Sequence, residues 1–203
     1  MAAVISIVGG IVVATVGWYA RVSSFEGQAT GAQVRIRLTS ECADAVRPVL
    51  AARLADYGLP AQPGDGLSFD VTLPGVLADE RAHVPLALTQ PGLLEVAVDG
   101  TPRPTKVENV GMQLAFSGAP VTLIMLSEPL PEKGVTARLD GVDVDVEEVT
   151  GQELQLAARA EQSTEALRLA TDRAVAIRHP LPCRVTLASV TDLPSDPDQR
   201  APQ

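Results

Sequence analysis

The densest group of side chains able to do chemistry is acidic: Asp140, Asp143, Asp145, Glu147 and Glu148. On a strand, Asp143, Asp145 and Glu147 share one face, because side chains alternate with a period of two. Such a row offers oxygen ligands to a hard cation like Ca²⁺, but the Gly-spaced loop with its fixed ligand order is missing. A solvated strand face is the simpler reading, and no metal is expected. His83 and His179 are the only histidines. His83 has Asp79 and Glu80 close by, yet a metal site would need further His or Cys ligands, and both histidines read as surface residues. No G-x-S-x-G elbow, P-loop or H-E-x-x-H pattern occurs. The chain is expected to be non-enzymatic and to hold no cofactor.

Cys42 and Cys183 are the only cysteines. Two are too few for a disulfide framework or a zinc site. Two readings stand: buried free thiols, which is favoured, or one bridge closing a long loop if the domain is exported.

The first stretch of the chain bears on where such groups would work. Residues 2–20 carry no charge, and Trp18 and Tyr19 stand at their far end beside Arg21. An uncharged run of this length suits a helix crossing roughly 30 Å of hydrocarbon, with the aromatics at headgroup level. No basic residue precedes it, so an uncleaved anchor over residues 1–21 is expected rather than a signal peptide. Ser6, Gly10 and Ala14 recur every four residues, a stripe that permits close helix packing in the membrane. Arg21, Arg35 and Arg37 follow the span and by positive-inside counting favour a cytoplasmic body. Orientation stays open on these residues alone.

Composition narrows the partners. The net charge is −9 and aromatics make up 3%. Nucleic acid is not an expected partner, since phosphate binding needs clustered Lys and Arg. A body held on anionic lipid by a basic patch is excluded on the same ground.

Behind a polar linker at 22–32, Val34, Ile36 and Leu38 alternate with Arg35 and Arg37, predicting a strand over 33–39. Ser40 offers an N-cap, and Cys42, Ala45, Val46, Val49, Leu50, Leu54 and Tyr57 recur at helical spacing to Gly58. Leu67–Leu73 alternates as a strand, residues 77–89 read as a short helix weakened by Pro85, and 93–98 as a strand. Residues 100–134 are rich in Pro and Gly, with strand-like runs at 112–116 and 121–126, and read as a small β-rich head. Asp140-Gly141 signals a hairpin between strands at 135–139 and 142–149. Thr150-Gly-Gln-Glu153 has capping-box form, predicting a long helix to about Arg178 with a break near Ser163. A strand over 184–190 closes the body, and 191–203 reads as a disordered tail.

Four segments in this order resemble the extracytoplasmic domain of the SecD proteins of the bacterial SecDF protein-export family. They are Tyr57-Gly58-Leu59 after a strand and helix, Leu67-Ser-Phe-Asp-Val-Thr-Leu-Pro-Gly75, and Gly92-Leu-Leu-Glu-Val96. The fourth is Leu139-Asp-Gly141 with Thr150-Gly151 and a helix holding Ala166 and Leu169 up to His179-Pro-Leu-Pro182. The resemblance spans most of residues 33–187. It implies an α+β protein: a ferredoxin-like base from 33–99 and 135–190, and an inserted head from 100–134. It also implies a single-pass place in the bacterial inner membrane, with the body in the periplasm. The partners implied are the translocating polypeptide or translocase subunits. SecD proteins continue into further membrane helices that form a proton-driven module, absent from this sequence, so a separate multi-span membrane protein is expected to supply energy. Met112, Phe116, Val121 and Met125, on the apolar part of the head, are the candidate contact residues. The alternative is a structural scaffold subunit of another membrane complex, which the Ser6/Gly10/Ala14 stripe would favour; a periplasmic hydrolase is a third class.

Overall fold

The computed structural model describes residues 32–59, 61–73, 80–115, 118–158 and 164–193. The expected anchor, its Ser6/Gly10/Ala14 stripe and the tail from 194 lie outside them. No helix among the described residues is long and apolar enough to cross a membrane.

The chain divides into two compact units. A base unit takes the described residues of 27–94, 139–141 and 175–203, and an insert unit takes those of 95–138 and 142–174. In chain order the base opens with β1 (Ala32–Ser40), α1 (Ala43–Asp56), β2 (Ala61–Pro63), β3 (Leu67–Leu73) and α2 (Glu80–Ala87). Next come β4 (Leu94–Val98), β5 (Thr101–Arg103), β6 (Val107–Leu114) and β7 (Pro120–Leu126). They are followed by β8 (Val135–Leu139), β9 (Val142–Val144), β10 (Val146–Thr150) and β11 (Glu153–Ala157). The chain closes with α3 (Thr164–Arg178), whose residues from Val175 count in the base, and β12 (Val185–Asp192).

The base sheet has the order β12-β1-β3-β2, with every neighbouring pair antiparallel. β1 and β2 therefore run parallel with β3 between them, the split β-α-β connection. The alternation in β1 works as read: Val34, Ile36 and Leu38 are buried while Arg35 and Arg37 are exposed. Phe69, Val71 and Leu73 of β3 meet Val46, Leu50 and Leu54 of α1 in one core. α1 runs through Pro48 without a break. The missing N–H costs about 3 kcal/mol in a helix interior, a sum that burying three aliphatic side chains offsets. Its end is set by Gly58 at φ 68°. The Gly58 amide donates to the Ala55 carbonyl at 2.9 Å and the Leu59 amide to that of Leu54 at 3.0 Å, a Schellman close.

The start of α1 differs from expectation. Cys42, not Ser40, is the N-cap and makes no side-chain cap bond. Ser40 ends β1, and its hydroxyl donates instead to the Arg184 carbonyl at 2.9 Å. The favoured free thiols are also corrected: Cys42 and Cys183 form a disulfide with their Cα atoms 6.4 Å apart.

The insert unit contains two more four-stranded sheets, ordered β10-β11-β7-β6 and β5-β4-β8-β9. In the first, Ile124, Leu154 and Leu156 are fully buried. The segment read as the start of a long helix is a hairpin. Thr150 pairs with Glu153 across a turn in which Gly151 takes φ 61°. Leu154 and Leu156 flank Gln155, a period of two that outweighs the capping-box pattern. α3 begins only at Thr164. The expected head, 100–134, falls within an insert that also takes 95–99, 135–138 and 142–174. The molecule is thus a mixed, sheet-rich α/β fold built on three antiparallel sheets.

Candidate functional site

The candidate contact residues sit on the β6–β7 hairpin. Its two strands pair from Val107↔Leu126 to Leu114↔Pro120. The hairpin narrows where the Ala115 amide donates to the Ala119 carbonyl at 2.8 Å, with Gly118 at φ 82°. Phe116 lies outside the described residues.

The other three do not form one surface. Met112 stands opposite Thr122 in the ladder. The Thr122 hydroxyl donates to the Ala170 carbonyl of α3 at 3.1 Å, so this face of the sheet meets the helix. Met112 packs there against Ala158, Ala166 and Ala170. Val121 and Met125 have the opposite parity and lie on the other face with Leu123. Val121 is 1% exposed and belongs to the core; Met125 is half-buried. The exposed apolar residue of the hairpin is one the sequence reading passed over: Leu114, 59% exposed at the end of β6. β6 is itself an edge strand. Edge strands offer a ladder of N–H and C=O groups to an added chain.

The acidic cluster does not gather. Asp145 falls between β9 and β10, and Asp143 pairs with Arg138 Nε at 3.1 Å. Glu148 accepts from the Thr150 hydroxyl at 3.3 Å and the Gln155 amide at 3.4 Å. No group of three or more His, Cys, Asp or Glu among the described residues is placed to hold a metal ion.

The base unit holds the polar centre that the sequence reading missed. Arg53 lies in the last turn of α1 and is fully buried. Its guanidinium donates to the carbonyls of Leu88 at 3.0 Å and Gln90 at 2.6 Å, beyond α2. It also reaches the Pro91 carbonyl at 3.3 Å, that of Ala176 at 3.4 Å, and that of His179 twice. These groups include carbonyls left unpaired where α2 and α3 end, and a cation is favoured at a helix C-terminus. Burial pulls the Arg53 pKa down to about 10, while Tyr57 and Asp140 act the other way, so the group stays cationic at neutral pH. A signal was present: Arg53 falls in phase with Val46, Val49 and Leu50 on the apolar face of α1.

Neither histidine is the surface residue expected. His83 is half-buried on α2. His179 Nε2 lies 3.1 Å from the Asp56 carboxylate, which also accepts from Arg178 at 2.8 Å. Gly92 presses against the same helix end: at φ 80°, a Cβ there would stand 2.0 Å from the Ala176 carbonyl oxygen.

No protein-family model matches the chain, and no curated protein matches it. Among solved structures it shares its fold with part of a membrane protein-export component. That protein is SecDF, in its super-membrane-facing form: the two agree at TM-score 0.56 and 14% identity, over 87% of this chain and 34% of that one. The chain thus spans about a third of that protein's length, 34%. A second structure, of the membrane component SecDF that enhances protein export, aligns at TM-score 0.48 and 13% identity. It covers 78% of this chain and 97% of that one.

Proposed function

We propose that this chain is a SecD-like extracytoplasmic domain that assists protein export by binding translocating polypeptide or the translocase, without covalent chemistry. The observation that carries this reading is the fold shared with SecDF over 87% of the chain. The base unit, with its split β-α-β sheet, corresponds to the ferredoxin-like base, and the insert to the head. Residues 2–20 hold the body at the bacterial inner membrane, on its outer side.

The contact is an extended polypeptide added along β6, as in β-strand addition, with Leu114 as the apolar foothold at the end of the strand. Main-chain bonding of this kind tolerates many sequences, which suits a client that varies. The test is site-specific photo-crosslinking in membranes carrying the full chain while a signal-bearing substrate is being exported. A probe at Leu114, with a second at Met125 on the sheet face, is expected to capture the exported chain or a translocase subunit. Capture of neither from either position overturns the proposal.

A further inference from the structure

The disulfide closes one end of the ladder between β1 and β12. β12 is the outer strand of the base sheet, and of its eight residues only Val185 is buried. Apolar burial therefore contributes little to keeping β12 in place. Its ladder with β1 ends at the pair Ser40↔Val185. The Cys42–Cys183 bond lies just past that last rung, and both cysteines pack against the core shared by β1, β3 and α1. Their Cα separation of 6.4 Å lies within the ordinary disulfide range. The two residues are 141 apart in sequence, so the bond removes a large share of the unfolded chain's freedom. No third cysteine competes for either sulfur.

We infer that Cys42 and Cys183 are oxidised as a structural step of folding, by a thiol–disulfide oxidoreductase of an oxidising compartment, and that the body resides there. One cysteine thiolate attacks the oxidoreductase's disulfide, forming a mixed disulfide and releasing one of its sulfurs as thiolate. The second cysteine thiolate then attacks the sulfur of the first, closing the Cys42–Cys183 bond and releasing the other. The two cysteines give up two protons and two electrons, and the oxidoreductase leaves as a dithiol. Cytosolic glutathione and thioredoxin would keep such a pair reduced. The bond therefore speaks against the cytoplasmic body that Arg21, Arg35 and Arg37 favour. It does so without the export reading: a domain that captures no export client would still carry this bond.

The experiment follows the thiols of the full chain. Cells making it are quenched in acid, and free thiols are tagged with a polyethylene-glycol maleimide before and after reduction. The expected result is no tagged chain before reduction and a doubly tagged chain after it. A doubly tagged chain before reduction overturns the inference. Alongside, the purified oxidised chain is melted with and without reductant. Reduction is expected to lower Tm by on the order of 10 °C, and the double variant Cys42→Ser/Cys183→Ser to melt with the reduced form. An unchanged Tm overturns the structural role. If the variant fails to fold, the reduction of the native chain gives the same reading.

Discussion

Arg53 and His179 are joined twice: the His179 carbonyl accepts from Arg53 Nε at 2.9 Å and from Nη2 at 2.7 Å. One planar cation thereby ties the end of α1 to the end of α3 while its remaining nitrogen serves the chain beyond α2. Arg53→Met would leave these carbonyls buried without a donor, and stability should fall by about 3–5 kcal/mol. Arg53→Lys should recover less than half of that, because a point charge cannot match a fork of donors. Urea midpoints at pH 7 read both. A methionine variant within about 0.5 kcal/mol of wild type would show that the cluster contributes little.

Gly92 gives a purely steric companion. In Gly92→Ala the new methyl would collide with the Ala176 carbonyl at a backbone angle that L-residues avoid. The expected loss is at least about 2 kcal/mol. Gly111→Ala is the control: its backbone angle is ordinary and nothing lies within 4 Å of the new atom. Thermal melts should separate the two variants, with the second near wild type.

Asp70 supplies an acid-limb prediction. Arg35 holds its carboxyl below the usual range, chiefly through the hydrogen bonds at 2.6 and 2.7 Å, which outweigh the opposing desolvation; its charge adds a smaller push in the same direction. A folded value below the unfolded one of about 3.9 means that this stabilisation is complete above that pH and is lost as pH falls through the folded value. Asp70→Asn and Arg35→Gln should each flatten the stability curve below about pH 4 and leave its shape above pH 5 unchanged. Urea midpoints between pH 2 and 6 check this. The pair is solvent-exposed, so the effect at neutral pH should be small.

Leu114 and Val121 should part company. Leu114→Asp, at an exposed strand end, is expected to change stability by less than about 0.5 kcal/mol while abolishing the crosslink made from the probe at Met125. Val121→Asp would bury an unpaired carboxylate and should unfold the insert, seen by circular dichroism. If both variants melt like wild type, Val121 is not a core residue.

What could be read ahead of the fold was local. The alternation of Val34, Ile36 and Leu38 and the helical spacing of Val46, Leu50 and Leu54 report a face to be buried, and both were legible. Pairing was not. Nothing in a separation of 141 residues says that Cys42 and Cys183 meet, because the β1–β12 ladder that brings them together is non-local. The contact residues failed for a related reason. Met112 and Met125 look alike in sequence, but the hairpin register sets Met112 beside Thr122 and so puts the two on opposite faces. Residues 153–157 form a strand too short to distinguish from a helical turn by its apolar spacing alone. Arg53 was in view as a charge in phase with an apolar stripe; what hid its role was that its partners are backbone carbonyls, which no side-chain pattern records.

The register of β1 against β12 has a mechanical consequence. Val34 faces Asp192, and the Leu193 amide donates to the Gln33 carbonyl at 2.9 Å, so the chain comes into the base and goes out of it side by side. Tension between the two flanking segments would act across the strands and part the ladder rung by rung, the weak direction for a sheet. The tear would travel from Val34 to Ser40 and there meet the Cys42–Cys183 bond. Everything between the two cysteines lies inside a covalent loop that such a pull does not load. The base can therefore lengthen by the slack in two strands and no further: it is a tether with a stop.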